Sequence, residues 1–202
     1  MLGILLLLAS SLALATTLEF TDCATDKTAT LLTVRSLDIS PAVIPFPGQI
    51  QISTYISINH PITHFFVDTV LEIQTLGVWT KIPCIGSTSI GSCQNFDFRT
   101  LLENMHNGTS VISNSFGQQL SAILLKALGY KARFPLYPKD VIICHEPLTL
   151  NVPTGILKLI FQNGRTYRVT ISVKDDPTIR SNLGCIQFKF QLAQKVDPYL
   201  VG

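Results

Sequence analysis

The chain is 202 residues long, 47% hydrophobic and only 14% charged, with 15 basic residues against 13 acidic ones. That composition excludes a disordered, collagen-like or strongly nucleic-acid-binding chain, because apolar area for a core is ample and a net charge of only +2 is too small to meet a phosphate backbone. No linker-like stretch and no fixed-period repeat divides the sequence, so one compact unit is expected.

Residues 1–15, MLGILLLLASSLALA, hold 12 hydrophobic residues and no charged side chain. They read as a secretory signal with cleavage expected after Ala15: the apolar run is shorter than the roughly 20 residues a membrane span needs, and Ala13 and Ala15 are small. Residues 16–202 are then expected to form a single domain. Within it, Gln49 to Ile58 alternates polar and apolar as a strand with one face on a core does. Comparable strands are predicted at 31–39, 64–74, 77–82, 141–151, 156–162, 166–174 and 184–192, with turn signals at Pro45-Phe46-Pro47-Gly48, Asn59-His60-Pro61, Asn163-Gly164 and Asp175-Asp176-Pro177. Many short strands at this spacing indicate an all-β sandwich or cup.

The middle of the chain differs. A short helix is predicted at 96–105 and a stronger one at 118–128, where Leu120, Ile123, Leu124, Ala127 and Leu128 recur at helical spacing, Ser115 with Gln118 suits a capping box, and Gly129 suits a stop. Between Asn107 and Lys139 there is no acidic residue, while Lys126, Lys131, Arg133 and Lys139 add four positive charges.

Export would permit disulfides, and the five cysteines are Cys23, Cys84, Cys93, Cys144 and Cys185. Cys84 and Cys93 bracket a Gly- and Ser-containing loop whose ends can meet. A bond between Cys23 and Cys185 would close nearly the whole domain, where loop-entropy stabilisation is largest. One cysteine is left over, and Cys144 in the 141–151 strand is expected to be buried and inert. A zinc site is disfavoured by the absence of a C-x-x-C pair, so no metal and no cofactor is expected. Nucleophile-elbow, phosphate-loop, dinucleotide and zinc-protease motifs are all missing. His60 and His64 are four apart, but Pro61 and a strand-like context oppose a shared helical face; lone His106 and His145 read as structural or solvated.

The string VDTVLEIQTLGVWTKIPC, Val67 to Cys84, followed by Ile90-Gly91-Ser92-Cys93, resembles the ganglioside-activator family of sphingolipid activators, within the lipid-recognition (ML) superfamily. Phe20 to Cys23, Val34 to Leu37, Pro47-Gly48, Asn163 to Arg168 and Leu183 to Ile186 keep the family's order. The resemblance implies a β-cup with an apolar lipid cavity between its sheets. It also implies a noncatalytic protein that lifts a glycosphingolipid from a membrane and presents it to a lysosomal hydrolase such as β-hexosaminidase. It carries the Cys23–Cys185 and Cys84–Cys93 pairings that spacing also favours. The family's two further disulfides fall in the segment corresponding to 94–144, where this chain lacks the cysteines and has a longer insert.

On this basis Ile52, Ile56, Val67, Leu71 and Trp79 are expected to line an acyl-binding interior, with core packing the plainer role for Trp79. The insert is expected to touch anionic membranes through Leu120, Ile123, Leu124, Leu128, Phe134, Leu136 and Tyr137, helped by Lys126, Lys131, Arg133 and Lys139. Asn107-Gly108-Thr109 is an N-glycosylation sequon. The expected location is the secretory pathway, lysosome or extracellular space. A carrier of sterol or phospholipid and a cavity-free adhesion sandwich are the competing readings.

Overall fold

The computed structural model describes residues 18–25, 27–85, 90–100, 114–129, 134–151, 156–162, 164–178 and 182–193. The signal-like residues 1–15, the Asn107 sequon, Lys131 and Arg133 lie outside the described residues. Among the described residues the named strands and helices follow in the order β1 (Phe20–Asp22), β2 (Leu32–Ser40), β3 (Val43–Pro45), β4 (Gly48–Ile58), β5 (Phe66–Thr75), β6 (Val78–Lys81), β7 (Phe96–Asp97), α1 (Asn114–Leu128), β8 (Lys139–Leu150), α2 (Ile156–Ile160), β9 (Thr166–Lys174) and β10 (Gly184–Ala193).

The strands make two sheets. The larger runs β1-β10-β9-β5-β6, with β3 added to β10 and β7 to β5; the smaller runs β2-β4-β8. All pairs are antiparallel except β3 with β10. Period-two patterning sends Val67, Leu71, Tyr167, Val173, Ile186 and Leu192 to the inner face of the larger sheet, where they are buried. Ile50, Ile58, Val141, Ile143 and Leu148 do the same on the smaller one.

The predicted strand at 156–162 is corrected to the short helix α2. Its apolar residues run together without alternation, and β9, the next strand in the chain, already has β10 on one side and β5 on the other, so that strand offers no edge to join. The buried Tyr167 hydroxyl stops α2 instead: it donates to Ile160 O at 2.7 Å and accepts from Gln162 N at 2.8 Å. Of the helix predicted at 96–105, Phe96–Asp97 is β7, residues 98–100 are helical, and the rest lies outside the described residues. Helix α1 begins at Asn114, which puts Ser115 inside its first turn rather than at a cap. Gly129 ends it at φ +71° with its N–H on Leu125 O at 3.0 Å.

Both expected disulfides are present, Cys23–Cys185 and Cys84–Cys93. The first continues the β1–β10 ladder, Cys23 N donating to Cys185 O at 3.1 Å. In the chain-entropy treatment its 162-residue span is worth about 5 kcal/mol. The second shapes a segment that fills the gap between β7 and β6 along one edge of β5: Thr69 N donates to Cys93 O at 2.8 Å, Ile82 N to Leu71 O at 2.8 Å, and the Thr69 hydroxyl to Gly91 O at 2.9 Å. Gly91 sits at φ +111°, and a Cβ there would lie 2.1 Å from Pro83 O.

Gly91→Ala therefore combines backbone strain with a backbone clash and is expected to lower stability by about 3 kcal/mol. Urea unfolding of the oxidised protein measures it; a loss within error of zero would mean that the staple has no such geometry.

Candidate functional site

The inner faces of the two sheets converge on two apolar clusters. One gathers Ile39, Ile50, Leu71, Ile143, Leu148, Tyr167 and Leu192; the other gathers Ile58, Phe65, Val67, Leu136, Val141 and Val173. Between and around them lies the informative group. Ile52 and Ile56 belong to β4, which has β2 on one side and β8 on the other; Val169 and Ile171 belong to β9, equally flanked. All four point inward, yet all keep partial accessibility, as do Ile73, Phe188 and Phe190. A side chain in the middle of a sheet has no lateral route to solvent, so this area is exposed on the inner face: the sheets do not close on each other there. A close-packed sandwich would bury these positions.

The sequence had marked Ile52, Ile56, Val67 and Leu71, and the structure brings all four to this interior. It missed Val169, Ile171, Phe188 and Phe190, although their period-two spacing within the predicted strands 166–174 and 184–192 was the available signal.

Trp79 is not part of the interior. It pairs with Gln74, two register steps from Glu72↔Lys81 and therefore on the same face as Glu72, opposite to that of Leu71 and Ile73, and so lies on the outer surface of the larger sheet. There the Arg168 guanidinium sits 4.4 Å from its ring centroid and donates through Nε to Glu72 Oε2 at 2.6 Å. The ion pair fixes the guanidinium over the ring, a cation–π arrangement.

Helix α1 also departs from expectation. Ile123, Leu128 and Leu136 are buried, Leu120 and Phe134 pack against the clusters, and Leu124 is partly buried. The apolar face assigned to a membrane is turned onto the protein, and Phe134 meets Phe65 edge-on at 5.6 Å. Lys126 pairs with Glu146 of β8, and Lys139 Nζ donates to Leu128 O at 2.9 Å. Tyr137 alone of that apolar set is well exposed.

Cys144 is free but exposed, which corrects the expected burial. Val141 and Ile143 point inward, so the strand's alternation turns Ile142 and Cys144 out. A bulge follows, with His145 at φ +50° and its N–H on Ser53 Oγ at 2.9 Å. Among the described residues, no group of three or more His, Cys, Asp or Glu is placed to hold a metal ion.

Exposed apolar side chains collect instead at one end of the larger sheet. Leu76, 98% exposed, and Val78, 65% exposed, form the β5–β6 hairpin tip. Register places Val43 of β3 at the same end, opposite Gln191 and thus beside Thr166, and Leu159 of α2, 71% exposed, is tied there by Tyr167.

A stretch of 74 residues is 36% identical to the ganglioside GM2 activator of Macaca fascicularis. This chain is similar to ganglioside GM2 activator. The similarity covers 35% of this chain and 36% of the GM2 activator, about a third of each. No family model matches the chain. Among solved structures, the crystal structure of a Niemann-Pick type C2 protein from Japanese carpenter ant aligns over 88% of this chain and 99% of its own, with 11% identity and a TM-score of 0.41.

Unlike the apolar inside, the outer face of the smaller sheet is polar and titratable. Ser57 Oγ and Tyr55 Oη each donate to the Asp140 carboxylate at 2.8 Å, and Arg35 Nε donates to Ser57 Oγ at 2.7 Å. These two hydroxyl bonds hold the Asp140 carboxyl below its ordinary range, and the same bond to Asp140 pushes the Tyr55 phenol up. A carboxylate whose folded pKa is depressed stabilises the fold above its unfolded value, about 3.9, and stops doing so as pH falls through the folded value. The contribution is thus intact in a mildly acidic compartment. Asp140→Asn is expected to lower the urea midpoint equally at about pH 5 and pH 7, with the difference from the parent shrinking towards about pH 2. A difference that grows on acidification would contradict the assignment.

Proposed function

We propose that the chain is a noncatalytic lipid-binding and transfer protein of the secretory pathway or lysosome that takes acyl chains of a membrane lipid between its two sheets. The observation that carries this reading is the accessible inner face on the central strands: Ile52 and Ile56 opposite Val169 and Ile171 offer apolar surface that neither sheet covers. Transfer of a chain into such a space gains roughly 0.8 kcal/mol per methylene, which is what allows a protein to compete with a bilayer. The similarity to ganglioside GM2 activator supports glycosphingolipid as the lipid class, with presentation to a hydrolase such as β-hexosaminidase as the purpose.

Membrane contact is assigned to the exposed apolar end. Leu76, Val78, Val43 and Leu159 can enter the headgroup region together, and Lys158 and Arg165 at that end would favour an anionic surface.

Vesicle assays with a pyrene-labelled glycosphingolipid separate the two parts. Ile56→Asp places a carboxylate against the acyl chains and is expected to reduce extraction by about a hundredfold or more. Leu76→Ser with Val78→Ser is expected to weaken vesicle binding about tenfold while leaving uptake of the monomeric lipid intact. A folded Ile56→Asp protein that extracts as the parent does would place the lipid elsewhere. Failure of the parent to increase hydrolysis of vesicle-bound glycosphingolipid by β-hexosaminidase would remove the presentation role.

A further inference from the structure

The two flanks of the sandwich are built differently. Where β2 begins, the sheets are joined by backbone: Leu31 N donates to Leu183 O at 2.7 Å and Gly184 approaches Leu32 so closely that a Cβ would lie 3.1 Å from its carbonyl, while Cys23–Cys185 locks β1 to β10 within the larger sheet beside this contact. The opposite flank ends at β8, the edge strand of the smaller sheet, and there the wall is helix α1. Packed on β8, α1 adds Ile123 to the cluster that holds Leu71 and Leu148 and Leu128 to the one that holds Val67 and Val141, so its buried face belongs to both clusters between the sheets.

Side chains attach this wall to β8. The Gln119 amide copies a strand neighbour at the free edge, accepting from Thr149 N at 2.7 Å and donating to Thr149 O at 3.3 Å. Lys126 pairs with Glu146, and Lys139 caps Leu128 O. The bulge at Cys144–His145 creates the second of these contacts, because it shifts the alternation of β8 and brings Glu146 opposite Ile52, on the side that α1 covers. None of these bonds belongs to a β-ladder, so α1 can leave without unpairing a strand.

We propose that α1 is a movable wall and that the flank beneath it is the portal through which acyl chains pass into the interior. The inference rests on the lipid-uptake reading above and adds to it a place and a mechanism. Opening turns the Ile123 and Leu128 face outward, where acyl chains or a bilayer surface can receive it, and exposes Ile143 and Leu148 along the portal. The Lys126–Glu146 pair is the latch.

A cross-link across the latch tests the proposal in the folded full chain. Lys126→Cys and Glu146→Cys are combined with Cys144→Ser, and the protein is treated either with a short bis-maleimide or with a monofunctional maleimide. Uptake of pyrene-labelled glycosphingolipid from phosphatidylcholine vesicles is then followed. The cross-linked form is expected to take up lipid at least about tenfold more slowly than the capped form, as for a lid whose motion limits the rate. Glu146→Gln in the otherwise unaltered chain is expected to speed uptake about two- to fivefold, the effect of losing one partly exposed ion pair. Equal rates for the cross-linked and capped forms, with both taking up lipid, would overturn the portal and leave the lipid reading standing. Absence of uptake by the unaltered chain as well would overturn both.

Discussion

The central constraint is that two apolar sheet faces are pinned together along one flank and kept apart in the middle. Pinning comes from the Leu31–Leu183 hydrogen bond and the close approach of Gly184 to Leu32, on a strand pair, β1 with β10, that Cys23–Cys185 locks within the larger sheet. Away from that flank bulky groups fill the space, where Phe65 stacks on Phe98 and meets Phe134 edge-on and α1 buries Ile123 and Leu128. The hydrophobic effect would otherwise drive the inner faces together, since every uncovered methylene costs about 0.8 kcal/mol. Ile52, Ile56, Val169 and Ile171 remain accessible because the surrounding frame does not let the sheets follow that drive. An apolar guest is the group that can satisfy them.

The frame also explains where polarity is allowed. On the outer faces it forms ion pairs and hydrogen-bonded clusters: Arg168 with Glu72 over Trp79, Lys174 with Asp68 and Asn95, and Asp140 with Tyr55 and Ser57. On the inner faces, hydroxyls are occupied by backbone. Thr54, buried between Ile52 and Ile56, donates to Ser36 O at 2.8 Å, beside the bulge in β2. Tyr167, with no exposed surface, caps α2, and burial pushes its phenol up, keeping it neutral. The interior therefore presents little that would hydrogen-bond water in preference to a lipid chain.

Most of the strand framework could be read from alternation, because a strand with one apolar face writes its geometry into every second residue. Segment 156–162 could not: a run of apolar residues around Lys158 fits a buried strand or a helix, and what decided it was a tertiary fact, the flanking of β9 on both sides. Trp79 and Cys144 were legible in principle. The two-residue turn at Leu76-Gly77 sets Thr75 opposite Val78, which puts Trp79 with Gln74 on the outer face, and Val141 with Ile143 turn Cys144 outward. The destination of the α1 face was not legible, since an apolar stripe suits a sheet as well as a bilayer and its partner Glu146 lies twenty positions away in sequence.

The central claim, an interior held open for acyl chains, is tested most directly by native mass spectrometry of the full-length chain secreted from cells, purified without detergent and then incubated with glycosphingolipid-containing vesicles. The account expects a species heavier than the polypeptide by one intact long-chain lipid, released on denaturation and identifiable by fragmentation. A folded protein that carries only its own covalent mass, before and after exposure to the vesicles, would contradict it.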